Sequence, residues 1–502
     1  MPEETRQPDA PIDKKRIALM EGTCGVPDRV SIRGQVVDIP VTEKEMKSDW
    51  DMFLGLPRIA RETIRPLQDV GMGGVRRARL QAEVFPEHRD GVSPPLWVSD
   101  TFSTNDNSFF STTAQKLSSG IYAVRLTLRG IDSLRQSVAD FAFMPSRQSL
   151  TLKTDVIIGE GRFRVLPRDY TGWIVTSDID QTFLDTKLDS RGGLMQTLFE
   201  MPSEKRPLPG MAELMRKITD RNIPLHFISA SPHFFRRSFN ALFAFHNIPV
   251  TGLRLKYLQG VFEEARKKLF ESLLHVTDYL QAGVGGAMDR SMKYLNSSLQ
   301  SLFDQVGYKL EAILENRLIQ PTGSREILMG DNTESDYFIF TLYQVLLTGR
   351  LRDDQLVDYL YHLRFHGREA LTRDYSVRIA KLTTENLQIH GKINPVEHVW
   401  INQAYASPDN EEAEKMIREA LPEDAFKWGT IKKPIVVKGG LGFAVHALDV
   451  GLIDPDQFRA VWKSMEGRKL GELDLNQAFL ETIVKSMPWT RYSAEQVLGY
   501  AV

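Results

Sequence analysis

The sequence predicts an α/β protein: a Rossmann-like parallel sheet, preceded by a β-sandwich and followed by a mostly helical region. Three observations predict it. Over residues 30–168 apolar and polar residues alternate, the period of half-buried strands. From Gly172 onward short apolar strands alternate with helices, and each strand ends in polar residues, which is the pattern of a parallel α/β sheet. Beyond Leu347 the spacing of apolar residues is mostly helical.

The β region shows its alternation best in Leu80, Ala82 and Val84 and in Val124, Leu126 and Leu128, which are separated by polar residues such as Arg125, Thr127 and Arg129. Segments 141–143 and 150–158 read as further strands, and Asn105-Asp106-Asn107 and Arg129-Gly130 as turns. This spacing predicts an antiparallel sandwich over 30–168, interrupted by a helix near 43–61, after a flexible segment 1–29.

The α/β region is expected over 169–347. Its first strand, 173–176, runs directly into an acidic motif. Pro207-Leu208-Pro209-Gly210 opens a helix whose apolar face is Met211, Leu214, Met215 and Ile218. A second strand, 224–228, ends at Ser229, and a third, 326–329, ends at Gly330-Asp331. Ligands of such sheets bind at the carboxyl ends of the strands, where all three polar clusters fall. Residues 260–307 read as a helical hairpin inserted before the third strand, either as structural packing or as a lid that contacts a membrane. Basic Arg266, Lys267 and Lys268 border its apolar face. In the region 348–502, helices are expected at 353–365, 368–388, 410–421 and 456–463.

Chain-wide properties narrow the function classes. The length of 502 residues predicts about three domains. With 63 basic and 65 acidic residues, the net charge of −2 provides no global field for nucleic acid. Cys24 is the single cysteine, which rules out an internal disulfide and a cysteine-rich zinc site and fits a reducing, cytoplasmic setting. The first fifteen residues are polar and carry Pro2, Pro8 and Pro11, without the apolar core of a signal peptide. Of the apolar stretches, 337–347 is too short to span a bilayer and 436–453 is interrupted by Lys438, His446 and Asp449, so membrane contact is expected to be peripheral.

The strand ends carry the chemistry. Phosphate monoesters hydrolyse extremely slowly in water, and one enzymatic route passes the phosphoryl group through a carboxylate. That route needs a nucleophilic acid, a general acid and a cation that offsets charge repulsion. Asp178 and Asp180 stand two positions apart at one strand end and fit the first two roles. Asp178 and Asp331 together offer the hard oxygen ligands that Mg²⁺ prefers.

Asp178-Ile179-Asp180-Gln181-Thr182 after a strand is similar to the signature of the haloacid dehalogenase superfamily of phosphatases. The chain further resembles the phosphatidate phosphatase catalytic domain of the actin-patch type. The resemblance rests on Thr176 to Thr182, Phe227-Ile228-Ser229-Ala230-Ser231-Pro232, Leu253-Arg254-Leu255-Lys256, and the run Ile327 to Asp336. It covers about 172–340, and the β region before it also looks like the domain that often leads into this one. The resemblance implies that Asp178 is nucleophile and Mg²⁺ ligand. Asp180 would be general acid and base, with its backbone carbonyl on the metal. Thr182 would brace the loop, Ser229 would bind a phosphoryl oxygen, and Asp331 and Asp336 would complete the metal site. Lys309 would neutralise nucleophile and phosphate, with Lys293 as the alternative. Gln181 departs from the family, where a second acid is usual, and Asn332 stands where a small hydroxyl residue is common.

The expected function is a Mg²⁺-dependent phosphatase of phosphatidate or a related lipid phosphate at a membrane surface. The alternatives are a phosphatase of a soluble phosphomonoester or phosphoprotein, and a membrane or scaffold module with weak catalysis. Other features receive plainer readings. Ser231 caps a helix, Arg236-Arg237 either lies on a solvated helix face or meets an anionic head group, the glycine runs at 71–74 and 439–442 are turns, and His362 with His366 is not a metal pair.

Overall fold

The structure is a computed structural model that describes residues 16–38, 73–87, 93–131, 155–186, 205–256, 305–332, 335–351, 353–365, 368–369, 371–404, 430–470 and 473–501. The expected helix at 43–61, the strand at 141–143, nearly all of the hairpin at 260–307, the helix at 410–421, Lys293 and His366 lie outside the described residues. Two compact units divide in sequence between Pro167 and Arg168.

The first unit is β throughout its described residues. Its strands are β1 (Arg16–Met20), β2 (Cys24–Gly25), β3 (Val30–Asp38), β4 (Gly73–Gly74), β5 (Ala78–Pro86), β6 (Trp97–Val98), β7 (Phe102–Ser103), β8 (Phe109–Ala114), β9 (Gly120–Ile131) and β10 (Val156–Val165). One sheet has the order β1-β3-β4 with β8 also on β3, and the other β2-β10-β9-β5-β6 with β7 also on β5. The alternation read from sequence holds. Leu80, Ala82, Val84, Val124, Leu126 and Leu128 are buried and share one apolar core with Val30, Ile32 and Val36 of the other sheet. The segment expected to be flexible contains β1 and β2. β1 is too short to show a pattern in sequence, but it ladders antiparallel along β3 from Arg16↔Asp38 to Met20↔Gly34, and Arg16 Nε meets Asp38 Oδ1 at 2.8 Å.

The second unit holds the parallel sheet. Its strands are β11 (Trp173–Ser177), β12 (Leu225–Pro232), β13 (Gly252–Lys256), β14 (Arg325–Asp331), the minor pair β15 (Arg364–Phe365) and β16 (Arg368–Glu369), then β17 (Val396–Asn402) and β18 (Ile435–Val437). The order β13-β12-β11-β14-β17-β18 is parallel at every pairing. Counted in order of appearance this is 3-2-1-4-5-6, the doubly wound arrangement, and chain order reverses between β11 and β14. Ile174 and Val175 in β11, and Ile327, Leu328 and Met329 in β14, are completely buried, because a parallel sheet is covered on both faces and its central strands read as apolar runs.

The helices are α1 (Met211–Asp220), α2 (Arg236–Phe245), α3 (Gln305–Ile319), α4 (Asp336–Leu347), α5 (Asp353–His362), α6 (Arg373–His390), α7 (Gly439–Asp449), α8 (Pro455–Met465), α9 (Gln477–Ser486) and α10 (Ala494–Ala501). Met211, Leu214, Met215 and Ile218 form the buried face of α1 as expected. α4 and α7 are buried along their whole length, which explains their bilayer-like hydropathy: they are core helices. Among the described residues no helix is long and apolar enough to cross a membrane. The sheet does not stop near Leu347, where the α/β region was expected to end, because β17 pairs with β14 and β18 with β17.

Candidate active site

β11 ends at Ser177 and delivers Asp178 to the crevice where strand order reverses. The Asp178 amide donates to Met329 O of β14 at 2.8 Å, tying the two strand ends together. β14 closes with Gly330-Asp331, and Asp336 opens α4, where the partial positive charge of a helix start favours a carboxylate. Gly330 is required here: a Cβ at this position would lie 2.6 Å from Asp336 Cβ and Oδ2, so any side chain would push Asp336 away from the strand end.

Asp178, Asp331 and Asp336 are buried, and each offers an oxygen within 4.8 Å of the others. Lys309, on α3 and 1% exposed, places Nζ 2.9 Å from Asp178 Oδ1 and 2.6 Å from Asp336 Oδ1. Of the two lysines left open by the sequence, Lys309 meets Asp178, and Lys293 lies outside the described residues. Three carboxyl groups gather at one ammonium, and the oxygens they offer lie close enough to share one ion. Such a set fits a hard divalent cation of the Mg²⁺ type.

The Asp180 side chain turns elsewhere. Its Oδ2 accepts from Ser229 Oγ at 3.1 Å and from Ser231 Oγ at 3.0 Å, and Ser229 Oγ accepts from the Ser231 amide at 3.0 Å. The expected helix cap at Ser231 is corrected. β12 runs on to Pro232, a 3₁₀ turn at His233–Phe235 follows, and α2 is capped at Phe235, so the Ser231 hydroxyl goes to Asp180. Arg236 is likewise not on a solvated face. It is buried, and its guanidinium donates to Leu253 O at 2.6 Å and to His233 Nε2 at 3.1 Å.

The loop brace also differs from expectation. Thr182 is fully buried, and its hydroxyl makes no hydrogen bond among the described residues. Asn402, at the end of β17, donates from Nδ2 to Gln181 O at 2.6 Å instead. Sequence reasoning missed Asn402, although the signal was present: the apolar run Val399-Trp400-Ile401 ends in a polar residue, as the strands that carry Asp178 and Asp331 do. Asn332, one of the departures from the family pattern, is also used structurally, since its Oδ1 accepts from the Ala404 amide at 2.9 Å.

No curated protein matches the chain. Residues 173–282, which include Asp178, Asp180, Thr182, Ser229 and Ser231 but end before Lys309, Asp331 and Asp336, match the family model described as phosphatidate phosphatase APP1, catalytic domain.

Proposed function

We propose that this chain is a Mg²⁺-dependent phosphatase of phosphatidate or a closely related lipid phosphate, of the haloacid dehalogenase type, working through an aspartyl-phosphate. The observation that carries the reading is the buried group Asp178, Asp331 and Asp336 with Lys309 among them, at the carboxyl ends of β11 and β14. The family match over 173–282 supports the substrate class.

Asp178, Asp331 and Asp336 would hold the cation. When bound, Mg²⁺ would offset the repulsion between a carboxylate nucleophile and a phosphoryl group. Lys309 adds a fixed positive charge on the nucleophile, which is the charge a developing phosphoryl transition state calls for. A carboxylate oxygen of Asp178 attacks phosphorus, and the bond from phosphorus to the lipid oxygen breaks. Asp180, protonated at that stage, gives its proton to the departing oxygen. It then takes a proton from the water that attacks the aspartyl-phosphate, which releases inorganic phosphate and restores Asp178. Ser229 and Ser231 both donate to Oδ2 of Asp180, so the transferable proton belongs on Oδ1. A hydroxyl has one proton to donate, so Ser229 would leave Asp180 when it turns to a phosphoryl oxygen, and Ser231 would keep Asp180 in place. The lipid would be met peripherally, at a membrane surface on the cytoplasmic side.

Phosphate release from phosphatidate vesicles, para-nitrophenyl phosphate and a phosphoserine peptide, each with Mg²⁺ and with chelator, tests the reading. The expected result is Mg²⁺-dependent release that is fastest from phosphatidate. Release confined to the soluble esters would move the substrate class to soluble monoesters, and no release from any of the three would refute the phosphatase reading.

A further inference from the structure

We infer that Asn402 is a positioning residue for the loop that follows the two motif aspartates, and that the C-terminal part of the chain completes the active site through it. The kinetic consequence rests on the phosphatase reading above; the mechanical one does not.

Asn402 is 3% exposed and lies well outside the matched segment 173–282. All of its polar groups named here are engaged across element boundaries. Nδ2 donates to Gln181 O at 2.6 Å, and Oδ1 accepts from the amide of Gly439, the first residue of α7, at 2.9 Å. Its backbone carbonyl accepts from the Asn332 amide at 3.1 Å. Because one neighbour is a carbonyl and the other an N–H, only this orientation of the side-chain amide satisfies both. One residue therefore holds the neighbour of Asp180 with its side chain and the neighbour of Asp331 with its backbone.

The loop it holds is one that the local sequence does not favour. Gln181 has φ 53°, in the left-handed region that a side chain of this kind seldom adopts. Such conformations persist where surrounding contacts impose them, and they concentrate at functional sites. The Gln181 amide is held by Thr186 Oγ1 at 3.2 Å, from within the loop, and its carbonyl by Asn402, from β17. The Thr182 hydroxyl makes no hydrogen bond among the described residues. The chain at 206–208 holds the far side of the loop, where Arg206 O accepts from the Asp185 amide and the Leu208 amide donates to Phe183 O, so Asn402 is the brace at Gln181 itself. Part of the bracing role expected of Thr182 is thus carried from a strand over two hundred positions away in sequence.

The experiment compares wild type, Asn402→Asp and Asn402→Ala. The Asp variant keeps the acceptor for Gly439 N but turns an oxygen toward Gln181 O, isolating that one contact. The Ala variant removes both side-chain contacts without adding charge. In both, kcat for para-nitrophenyl phosphate is expected to fall about 10- to 100-fold, the scale set by sub-ångström to one-ångström misplacement, with KM within about threefold. Amide hydrogen exchange of residues 181–184 should quicken in both, measured at a temperature where each variant remains folded, since the buried carboxylate of the Asp variant lowers its stability. Wild-type kcat and wild-type exchange in both variants would overturn the inference. Faster exchange with unchanged kcat would also overturn it, by making Asn402 a structural residue. So would a loss of activity that only follows a loss of folded protein. If wild type releases no phosphate from any ester, the phosphatase reading fails, and exchange alone still decides whether Asn402 holds the loop.

Discussion

The two ends of β14 bury ionic groups in opposite ways. At the amino end, Glu326 faces Arg317 Nη1 at 3.6 Å and accepts from the Tyr343 hydroxyl at 3.0 and 3.3 Å. Arg317 in turn donates to Pro321 O, Ser324 Oγ and Thr322 O, each at 3.0 Å. Burial pushes the Glu326 carboxyl above its ordinary 4.5, against the pull of Arg317 and the Tyr343 hydrogen bond. One acid meets one base, and the group is self-contained. Five residues further along the strand, Asp331 joins Asp178 and Asp336, and Lys309 places its ammonium against Asp178 and Asp336. A matched buried pair is a structural element whose partner opposes part of its desolvation cost. Three carboxyl groups drawn together are instead a set of oxygen donors that a hard divalent cation would suit.

The sharpest way to break this comparison is to neutralise the carboxyl end. Asp178→Asn should lower phosphate release by at least ~10³-fold, because an amide does not attack phosphorus. In chelator its unfolding temperature should be no lower than wild type, since one of three repelling carboxylates is gone. Parallel losses of activity and stability would show that the cluster is structural, like the amino end. Lys309→Met comes next. It leaves three buried carboxylates without their ammonium, and chelator-treated protein should lose about 3–5 kcal/mol of stability. Adding Mg²⁺ should restore part of that loss, and denaturant unfolding with and without the cation measures it. No cation effect would argue against cation binding at this cluster.

At the amino end, Tyr343→Phe removes the hydroxyl that Glu326 accepts from and should cost about 1–3 kcal/mol. The kcat of the protein that remains folded should not change. A fall in kcat would mean that the two ends of β14 are coupled. The smallest effect separates stability from the site altogether. His398 and His446 flank Trp400, with ring centroids 5.9 Å from it on each side. Burial pushes His446 down to about 4, with His398 adding to the depression and Asp449 opposing it. The unfolded chain then binds the proton more readily than the folded one. The contribution of His446 is present above 6.5 and is lost as pH falls toward 4. Unfolding temperature should decline across that window, and His446→Gln should flatten part of the decline. An unaltered profile in the variant would assign the decline to other groups.

Much of this was legible in the sequence, for identifiable reasons. The strands that lead into Asp178, Ser229 and Asp331 were readable because apolar runs give way there to polar residues. The α1 face was readable because Met211, Leu214, Met215 and Ile218 recur at helical spacing and all four are buried. β17 was not read, although Val396 to Asn402 is rich in β-branched and aromatic residues, because the helices on either side set the pattern for the region. Its loss hid Asn402. Ser231 was read as a cap because local rules place serine before a helix. Here the competing partner, Asp180, is fifty-one positions away, and no local rule reports it. The convergence of Lys309 on Asp178 and Asp336 is of the same kind: spacing put it in contention, and only the packing of α3 against the sheet brings its ammonium to the two carboxylates.

The central claim is that Asp178 takes the phosphoryl group. Protein incubated briefly with Mg²⁺ and vesicles of phosphatidate radiolabelled in the phosphate, then quenched in acid, reports this directly. The account predicts a label bound to wild-type protein, released by hydroxylamine as an acyl phosphate is, located on the peptide that carries Asp178, and absent from Asp178→Asn. Phosphate release by wild type with no labelled protein at any quench time, or a label that persists in Asp178→Asn, would contradict it.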